Sequence, residues 1–260
     1  MIKGLSFGIQ ESPCPYVQGK TFKSETLYIP ELDEEGMDSL LSIGFRHFGD
    51  TFFRPVCDDC GGCIPLRIPV SDFAFTRNRK RVLRRVDYLA DSPNDSLTVE
   101  LTEPRPEREK YELYRRHGGR FNIEGADSYE GFVDSFFTHV PFGKVLEVRR
   151  KGRLAAASHI DITSRSLSAI YCYWDPAEHK LGLGKYAILK EIELAASYGI
   201  PHVYLGYYVK DNPHMSYKAS YRPNEALVQE GLWLPYRDES GVTVSPEVDE
   251  RGFLPVLRIE

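Results

Sequence analysis

Hydrophobic and polar positions alternate most regularly in the second half of the chain. This period of two predicts three consecutive strands, at residues 145–148, 154–162 and 166–174. Apolar side chains then recur at helical spacing from Tyr186 to Ala196, and residues 202–209 alternate again as a strand. The pattern therefore predicts an antiparallel three-strand meander that is followed by a helix and a further strand.

This order is shared by the GNAT acyltransferase fold, which holds its acyl donor at the N-terminus of the corresponding helix. Here the helix follows the LGLG sequence of residues 181–184, where glycines let a ligand approach bare backbone N–H groups at the positive end of the helix. A tight turn explains these glycines equally well. The fold-level analogy therefore only adds acyl transfer to the functions to consider.

The pattern in the first half of the chain is less regular. Acidic residues precede a group of apolar side chains in residues 31–45, which predicts a short helix. Residues 64–70 alternate as a strand, but Pro65 and Pro69 interrupt them, so we expect this strand at the edge of a sheet. Capping residues and apolar spacing predict two further helices, within residues 107–119 and 128–137.

Length, composition and charge limit the functions that the chain can have. Its 260 residues, 42% of them hydrophobic, suffice for one large domain or two modest ones. The formal net charge of −5 argues against a protein whose whole surface grips nucleic acid, so any such binding must rest on a local patch. A run of eighteen apolar residues and a charged-then-apolar leader are both absent from the sequence, so we expect a soluble, cytoplasmic protein without a membrane partner.

One local patch of positive charge lies in residues 75–88, which read as an amphipathic helix. Six cations fall within nine positions: Arg77, Arg79, Lys80, Arg81, Arg84 and Arg85. No acidic residue occurs in the sequence from residue 73 to residue 86, so neutralisation by sequence neighbours is excluded. A solvated helix face is the alternative, but the clustering favours contact with nucleic-acid phosphates.

Four of the five cysteines could meet at one centre: Cys14, Cys57, Cys60 and Cys63. The last three are spaced at two-residue intervals around a glycine pair, which is typical of a metal site, and four thiolates suit zinc or an iron–sulfur cluster equally. Buried reduced thiols and disulfides are the alternatives. Because Cys14 must return to the other three, we expect the N-terminal part of the chain to fold as one unit.

These observations lead to an expected division of the chain. We predict an α+β protein with a smaller N-terminal domain that carries the four-cysteine cluster, residues 1–75, and a GNAT-like acyltransferase domain, residues 76–260. Residues 204–225, at the end of the last predicted strand and in the loop after it, are rich in tyrosine and basic side chains. Such loops often carry chemistry, although each tyrosine could equally be a half-buried part of the core.

Five segments together resemble the aminoacyl-tRNA–protein transferase family, which includes arginyltransferases and bacterial aspartate/glutamate leucyltransferases. They are GFRHFGDTFFRPVCDDCGGCIPLRIPV, RNRKRVLRR, AIYCYWDP, LGLGKYAILKEIELA and HVYLGYYVKDNPHMSYKASYRP. The resemblance runs in order from about Cys14 to Tyr221. It departs at His47–Phe48, where members often have Arg-Ser, and at residues 212–215, where Cys-Pro-Lys-Met is frequent.

The resemblance implies transfer of a leucyl or arginyl group from aminoacyl-tRNA to the α-amino group of proteins that begin with Asp or Glu, as a mark for N-degron degradation. Lys218 and Arg222 would clamp the acidic side chain of the acceptor. The residues expected to act on the reacting groups are Tyr204, Tyr207, Tyr217 and Asp175. The six cations of residues 77–85 would contact tRNA, and the reaction itself needs no cofactor.

Two other classes of protein compete with this interpretation. An acyl-CoA-dependent N-acyltransferase explains the glycine-led helix but leaves the basic helix and the cysteines without a task. A non-catalytic RNA-binding module held together by a metal explains those two features but leaves the tyrosine-rich loop without one. The whole-chain pattern favours leucine slightly over arginine as the donor.

Overall fold

The computed structural model describes residues 2–58, 60–90, 96–118, 128–138, 141–245 and 248. Within these residues it contains twelve strands and five α-helices, arranged in one small and one large sheet. This confirms the predicted α+β class. None of the helices in the described ranges is long and apolar enough to cross a membrane.

The small sheet contains four strands in the order β1-β2-β4-β3, and every neighbouring pair is antiparallel. Its elements are β1 (Ile2–Pro13), β2 (Thr21–Leu32), α1 (Glu34–Ser42), β3 (Arg46–Phe48) and β4 (Thr51–Pro55). Helix α1 confirms the short helix expected within residues 31–45. Its N-terminal cap is Asp33, whose side chain accepts a hydrogen bond from the backbone N–H of Gly36 at 3.0 Å.

The large sheet contains eight strands in the order β12-β11-β5-β10-β9-β8-β7-β6. They are β5 (Ile64–Pro69), β6 (Leu97–Thr102), β7 (Gly143–Arg150), β8 (Arg153–Ile162), β9 (Ser166–Trp174), β10 (His202–Tyr208), β11 (Asn224–Gln229) and β12 (Leu232–Arg237). The β9–β10 pair is parallel and the other described pairs are antiparallel. The predicted meander, helix and final strand are thus confirmed as β7–β9, the helix Leu183–Ser197 and β10.

Four helices cover the two faces of the large sheet: α2 (Arg77–Ala90), α3 (Arg108–Gly118), α4 (Tyr129–Phe136) and α5 (Leu183–Ser197). On one face, Val86 of α2 and Ile192 of α5 are fully buried in the main core. On the other face, Leu113 of α3 and Phe132 of α4 pack against β7–β9. Helices α3 and α4 confirm the two predicted helices, and residue 119 of the first prediction lies outside the described residues.

The prediction that residues 64–70 form an edge strand was wrong. Strand β5 lies inside the large sheet between β11 and β10. Its pairing with β11 involves only Leu66 and Arg67, so Pro65 and Pro69 fall outside that ladder and lie opposite β10 alone, at Tyr207 and His202. Because β5 precedes residue 75, the large sheet takes a strand from the segment assigned to the N-terminal domain, and the division at residue 75 stays a prediction.

Strands β9 and β10 pair for only three residues and then separate. The parallel ladder joins Ser166–Ser168 to His202–Tyr204 and ends there. On the other side of β10, the register of its pairing with β5 shifts next to Gly206. The φ of Gly206, +77°, lies in the left-handed region that favours glycine. Beyond the end of β10, residues Ser216–Ser220 form a short 3-10 helix. The gap between the two separating strands is where the candidate site lies.

Candidate active site

Arg46 of β3 extends from the small sheet into the gap between β9 and β10. Its guanidinium donates hydrogen bonds to Ser168 Oγ at 3.1 Å and to the backbone carbonyl of Ala169, which β10 no longer pairs. Burial lowers the pKa of Arg46, and the nearby Tyr207 and Asp161 oppose this effect. Arg46 thus donates to a β9 carbonyl beyond the end of the ladder with β10, and it brings a buried positive charge to this position.

Lys218, from the 3-10 helix, meets Arg46 at Gly206. A Cβ atom built on Gly206 would lie 3.4 Å from both Arg46 Nε and Lys218 Nζ. Burial, and next the charge of Arg46, lowers the pKa of Lys218 from 10.5 to about 7, while Cys63 opposes the shift. Throughout the described residues, Lys218 has neither a hydrogen bond nor an ion pair with a carboxylate. The two cations therefore meet beside the backbone of Gly206, and among the described residues no carboxylate neutralises Lys218.

A buried carboxylate lies on the opposite face of the same strands. Glu191 of α5 is fully buried, and its Oε1 accepts a hydrogen bond from Ser158 Oγ at 2.7 Å. Its Oε2 has no hydrogen-bond partner among the described residues. Burial raises the pKa of Glu191 from 4.5 to about 7, an effect that the Ser158 bond opposes. A carboxylate with this pKa can take up a proton at neutral pH.

Tyr217 is close enough to Glu191 for the carboxylate to influence its hydroxyl. Tyr217 is 42% exposed. The pKa of its hydroxyl is nevertheless raised, mainly by burial and next by the nearby Cys172 and Glu191. Cys172 faces the same carboxylate, and burial and the charge of Glu191 raise its pKa to about 12, so it remains a neutral thiol.

The other residues that were predicted to act on the reacting groups make structural contacts. The hydroxyl of Tyr204 accepts a hydrogen bond from Arg67 Nη1 at 3.4 Å, and its ring packs against Trp233. The hydroxyl of Tyr207 donates to the carbonyls of Gly44 at 2.9 Å and Phe53 at 3.1 Å, which ties β10 to the small sheet. Burial raises the pKa of Tyr207 well above its ordinary value.

Asp175 lies apart from these tyrosines, at the end of β9. Its Oδ1 accepts a hydrogen bond from the backbone N–H of Ala177 at 3.0 Å and caps the 3-10 helix Pro176–Leu181. Its Oδ2 lies 3.3 Å from Arg116 Nη2. These contacts commit Asp175 to the turn that follows β9.

Arg222 does not join Lys218 in the way that the acceptor clamp requires. Its Nε donates to the carbonyl of Glu239 at 2.9 Å, and its guanidinium packs against Gly241. The structure instead places Arg46 beside Lys218, so the cation pair at the gap is Arg46 and Lys218.

Five of the six predicted phosphate contacts are solvent-exposed on α2: Arg77, Lys80, Arg81, Arg84 and Arg85. The sixth, Arg79, is half-buried. Its guanidinium donates to the carbonyls of Ala74 and Arg222, the latter at 2.7 Å, and stacks over the Phe73 ring at 4.0 Å. Arg79 therefore anchors α2 to the end of the 3-10 helix. The other five cations lie on the exposed side of α2, and one of them, Arg85, also donates to the carbonyl of Lys180 at 2.9 Å.

The four predicted metal ligands lie close enough to influence one another. Burial raises the pKa of Cys63 to about 12, and Cys14, Cys57 and Cys60 raise it further. The backbone N–H of Lys23 donates to Cys57 Sγ at 3.3 Å. Within the described ranges, which omit residue 59, no three His, Cys, Asp or Glu side chains have the spacing of a metal site. The donor set suits zinc or an iron–sulfur cluster, and the site stays a prediction.

The topology and the site define a class of protein, an acyltransferase with a GNAT-like arrangement of its sheet and a basic helix beside it. The chain belongs to the aminoacyl-tRNA–protein transferase family. Residues 12–81 match the family model described as "Arginine-tRNA-protein transferase, N terminus", and residues 109–228 match the one described as "Arginine-tRNA-protein transferase, C terminus". The chain is therefore an enzyme, and the reading as a non-catalytic module was wrong.

Two leucyltransferases agree with this family. The aspartate/glutamate leucyltransferase of Pseudomonas fluorescens is 35% identical over 231 residues, which cover 86% of this chain and 94% of that protein. The enzyme of the same name from Campylobacter jejuni is 33% identical over 232 residues, 86% of this chain and 92% of that protein. The crystal structure of FemX aligns with a TM-score of 0.44 and 11% identity over 75% of this chain and 65% of that chain.

Two residues of the site, Arg46 and Glu191, were not predicted from the sequence. Arg46 stands in the GFRHFGD segment, where nothing local distinguishes it from a surface arginine. Glu191 did leave a signal, because it shares the buried face of α5 with Ala187 and Ala195, each four positions away. A carboxylate on an apolar helix face is uncommon unless it is paired or functional.

Proposed function

We propose that the enzyme transfers a leucyl or arginyl group from aminoacyl-tRNA to the α-amino group of proteins that begin with Asp or Glu, which marks them for N-degron degradation. The names of the relatives support the acceptor and the leucyl donor, and the family models support the arginyl donor. The observation that carries the proposal is the pair of cations at Gly206, the buried Arg46 and the half-buried Lys218. The proposal includes a cytoplasmic location, where charged tRNA is used.

The acceptor's carboxylate would bind between these two cations. A buried cation without a partner costs several kcal/mol, roughly, and a carboxylate ligand would offset that cost. An arginine and a lysine together favour a carboxylate over an amide, because charge-assisted hydrogen bonds are about twice as strong as neutral ones. Asp and Glu would thus be accepted, while Asn and Gln would leave both charges uncompensated.

The reaction is aminolysis of an ester. The acceptor's ammonium loses one proton to a base, and its nitrogen attacks the aminoacyl carbonyl carbon. The bond to the ribose oxygen then breaks as that oxygen takes up the second proton that the nitrogen loses. Tyr217 would pass the ammonium's proton inward, its hydroxyl accepting one proton as it gives another to Glu191. This role fits the raised pKa of Glu191 and its free Oε2.

The remaining predicted groups serve binding and folding. The five exposed cations of α2 would contact tRNA phosphates. The four cysteine thiolates would hold zinc or an iron–sulfur cluster, which would supply no chemistry to the transfer and would tie Cys14 to the loop after β4.

The experiment compares peptides that begin with Asp and with Asn, with labelled Leu-tRNA and Arg-tRNA as donors. We expect the wild-type enzyme to label the Asp peptide and to discriminate against the Asn peptide. Arg46→Ala should raise KM for the Asp peptide about tenfold or more and remove the discrimination, because a charge-assisted hydrogen bond contributes roughly 1.5–3 kcal/mol. Lys210→Ala, which removes an exposed lysine just after β10, is the control. Unchanged discrimination in Arg46→Ala would contradict the proposed clamp.

A further inference from the structure

The exposed cations of α2 form a stripe that ends in an aromatic ring. Arg77, Arg81, Arg84 and Tyr88 follow one another at helical spacing on the exposed side of the helix. Tyr88 is 74% exposed, the largest exposed fraction among the large apolar side chains of the described residues. Phosphate contacts alone need no aromatic ring, so the position of Tyr88 at the end of the stripe calls for a ligand with an apolar face.

The ring lines a surface pocket of about 780 Å³ between α2 and the 3-10 helix Pro176–Leu181. Its charged lining includes Arg81, Arg84, Arg85, Arg150, Glu178 and Lys180. Small-ligand sites are typically about 300–1,000 Å³, so the pocket is large enough for a nucleotide.

Two contacts hold the walls of the pocket in place. Arg85 Nη1 donates to the carbonyl of Lys180 at 2.9 Å, and Arg150 Nη1 pairs with Glu178 Oε2 at 2.6 Å. The second pair neutralises the one acidic side chain of the lining. Across the described part of the chain, Arg81 and Arg84 have no carboxylate partner, so their charges remain available to a ligand.

We propose that this pocket binds an unpaired nucleotide of the tRNA, with the base stacked on Tyr88 and the adjoining phosphates held by Arg81 and Arg84. The inference rests on the proposed function, because it takes the donor to be an RNA. Single-stranded RNA is recognised through bases that stack on aromatic side chains beside a cationic groove, and the pocket offers both. A base-paired stem keeps its bases stacked inside the duplex and has no free face for the ring.

The test measures binding of a labelled single strand of RNA, about eight nucleotides long, and of a duplex of the same length. Tyr88→Ala should weaken binding of the single strand about tenfold or more and change duplex binding less than twofold, roughly. Tyr88→Phe should bind as the wild type does, because stacking uses the ring and not the hydroxyl. Tyr198→Ala, which removes a tyrosine that is 58% exposed beyond the end of α5, is the matched control.

In transfer assays, Tyr88→Ala should raise KM for the aminoacyl-tRNA and leave kcat unchanged.

The outcomes separate the inference from the proposed function. Equal binding of the single strand by Tyr88→Ala and the wild type, in an enzyme that transfers the aminoacyl group, would overturn the nucleotide site and leave the function standing. RNA binding that depends on Tyr88, in an enzyme without transfer activity, would support the nucleotide site and contradict the proposed function. Coenzyme A, which also carries a base and phosphates, is the competitor: displacement of the single strand by coenzyme A at a lower concentration than by unlabelled RNA would assign the pocket to an acyl-CoA and overturn the inference.

Discussion

Replacing Glu191 by Gln tests the buried carboxylate, because the substitution keeps the shape of the side chain and removes its charge. In the unfolded chain the carboxyl ionises near pH 4.5, and in the folded protein near pH 7. Between these values the folded state holds a proton that the unfolded state has lost, so the stability falls as the pH rises. At roughly 1.4 kcal/mol per pH unit, the full difference is about 3 kcal/mol.

The assay is chemical unfolding of the wild type and of Glu191→Gln at pH 5 and pH 8. Relative to the variant, the wild type should lose about 2–3 kcal/mol of unfolding free energy between the two pH values. Comparing the two proteins at both pH values cancels the titration of all other groups. It also cancels any fixed cost of the new amide, whose N–H takes the place of the unpaired Oε2.

Glu193→Gln is the matched control, since Glu193 is on the same helix, half-exposed and 2.9 Å from Lys190. It should change the pH dependence by less than about 0.5 kcal/mol. If the two variants have the same pH dependence, the raised pKa of Glu191 is refuted. In transfer assays the wild-type kcat should rise with pH through about 7, and Glu191→Gln should have a low kcat without this rise, because its base is missing.

Three further predictions concern the acceptor, the tRNA and the cysteines. Lys218→Ala should raise KM for an Asp peptide about tenfold, whereas Arg222→Ala should change it less than about twofold. Steady-state kinetics with the peptide measure both values. Equal effects of the two substitutions would show that Arg222 belongs to the clamp. The double variant Arg81→Ala/Arg84→Ala should weaken tRNA binding and reduce the slope of log affinity against log salt by about 2, and an unchanged slope would remove the assignment. Cys60→Ser should lower the bound metal and the melting temperature first and activity in consequence; full activity at an unchanged melting temperature would show that the cysteines are dispensable.

Local sequence patterns predicted the elements well where their cause is local. Strand β9 has the bounds that its alternating side chains predict, and α5 ends where glycine and proline stop the helical spacing. The position of β5 was not predictable in this way. Its neighbours β10 and β11 follow it by more than a hundred residues in the chain. The two prolines of β5 show only which backbone N–H groups are missing, and they do not show which strands pair with β5.

The site shows the same limit. The motif around Lys218 identified that residue, but its partner Arg46 comes from the small sheet and meets it only because β9 and β10 separate after Tyr204. A cation shared between distant segments has no signature in either one. Tyr207 shows the converse error, because a tyrosine next to functional residues in sequence is here a hydrogen-bonded link between the two sheets.

The most direct test of the central claim is the mass of a peptide that begins with Asp, after incubation with the enzyme and with Leu-tRNA or Arg-tRNA. The account predicts that the peptide gains one leucyl or arginyl residue at its α-amino group. It predicts no gain for the same peptide with an acetylated N-terminus, since the attacking amine is then blocked. An unmodified Asp peptide with both charged tRNAs, or equal modification of the acetylated peptide, would contradict the account.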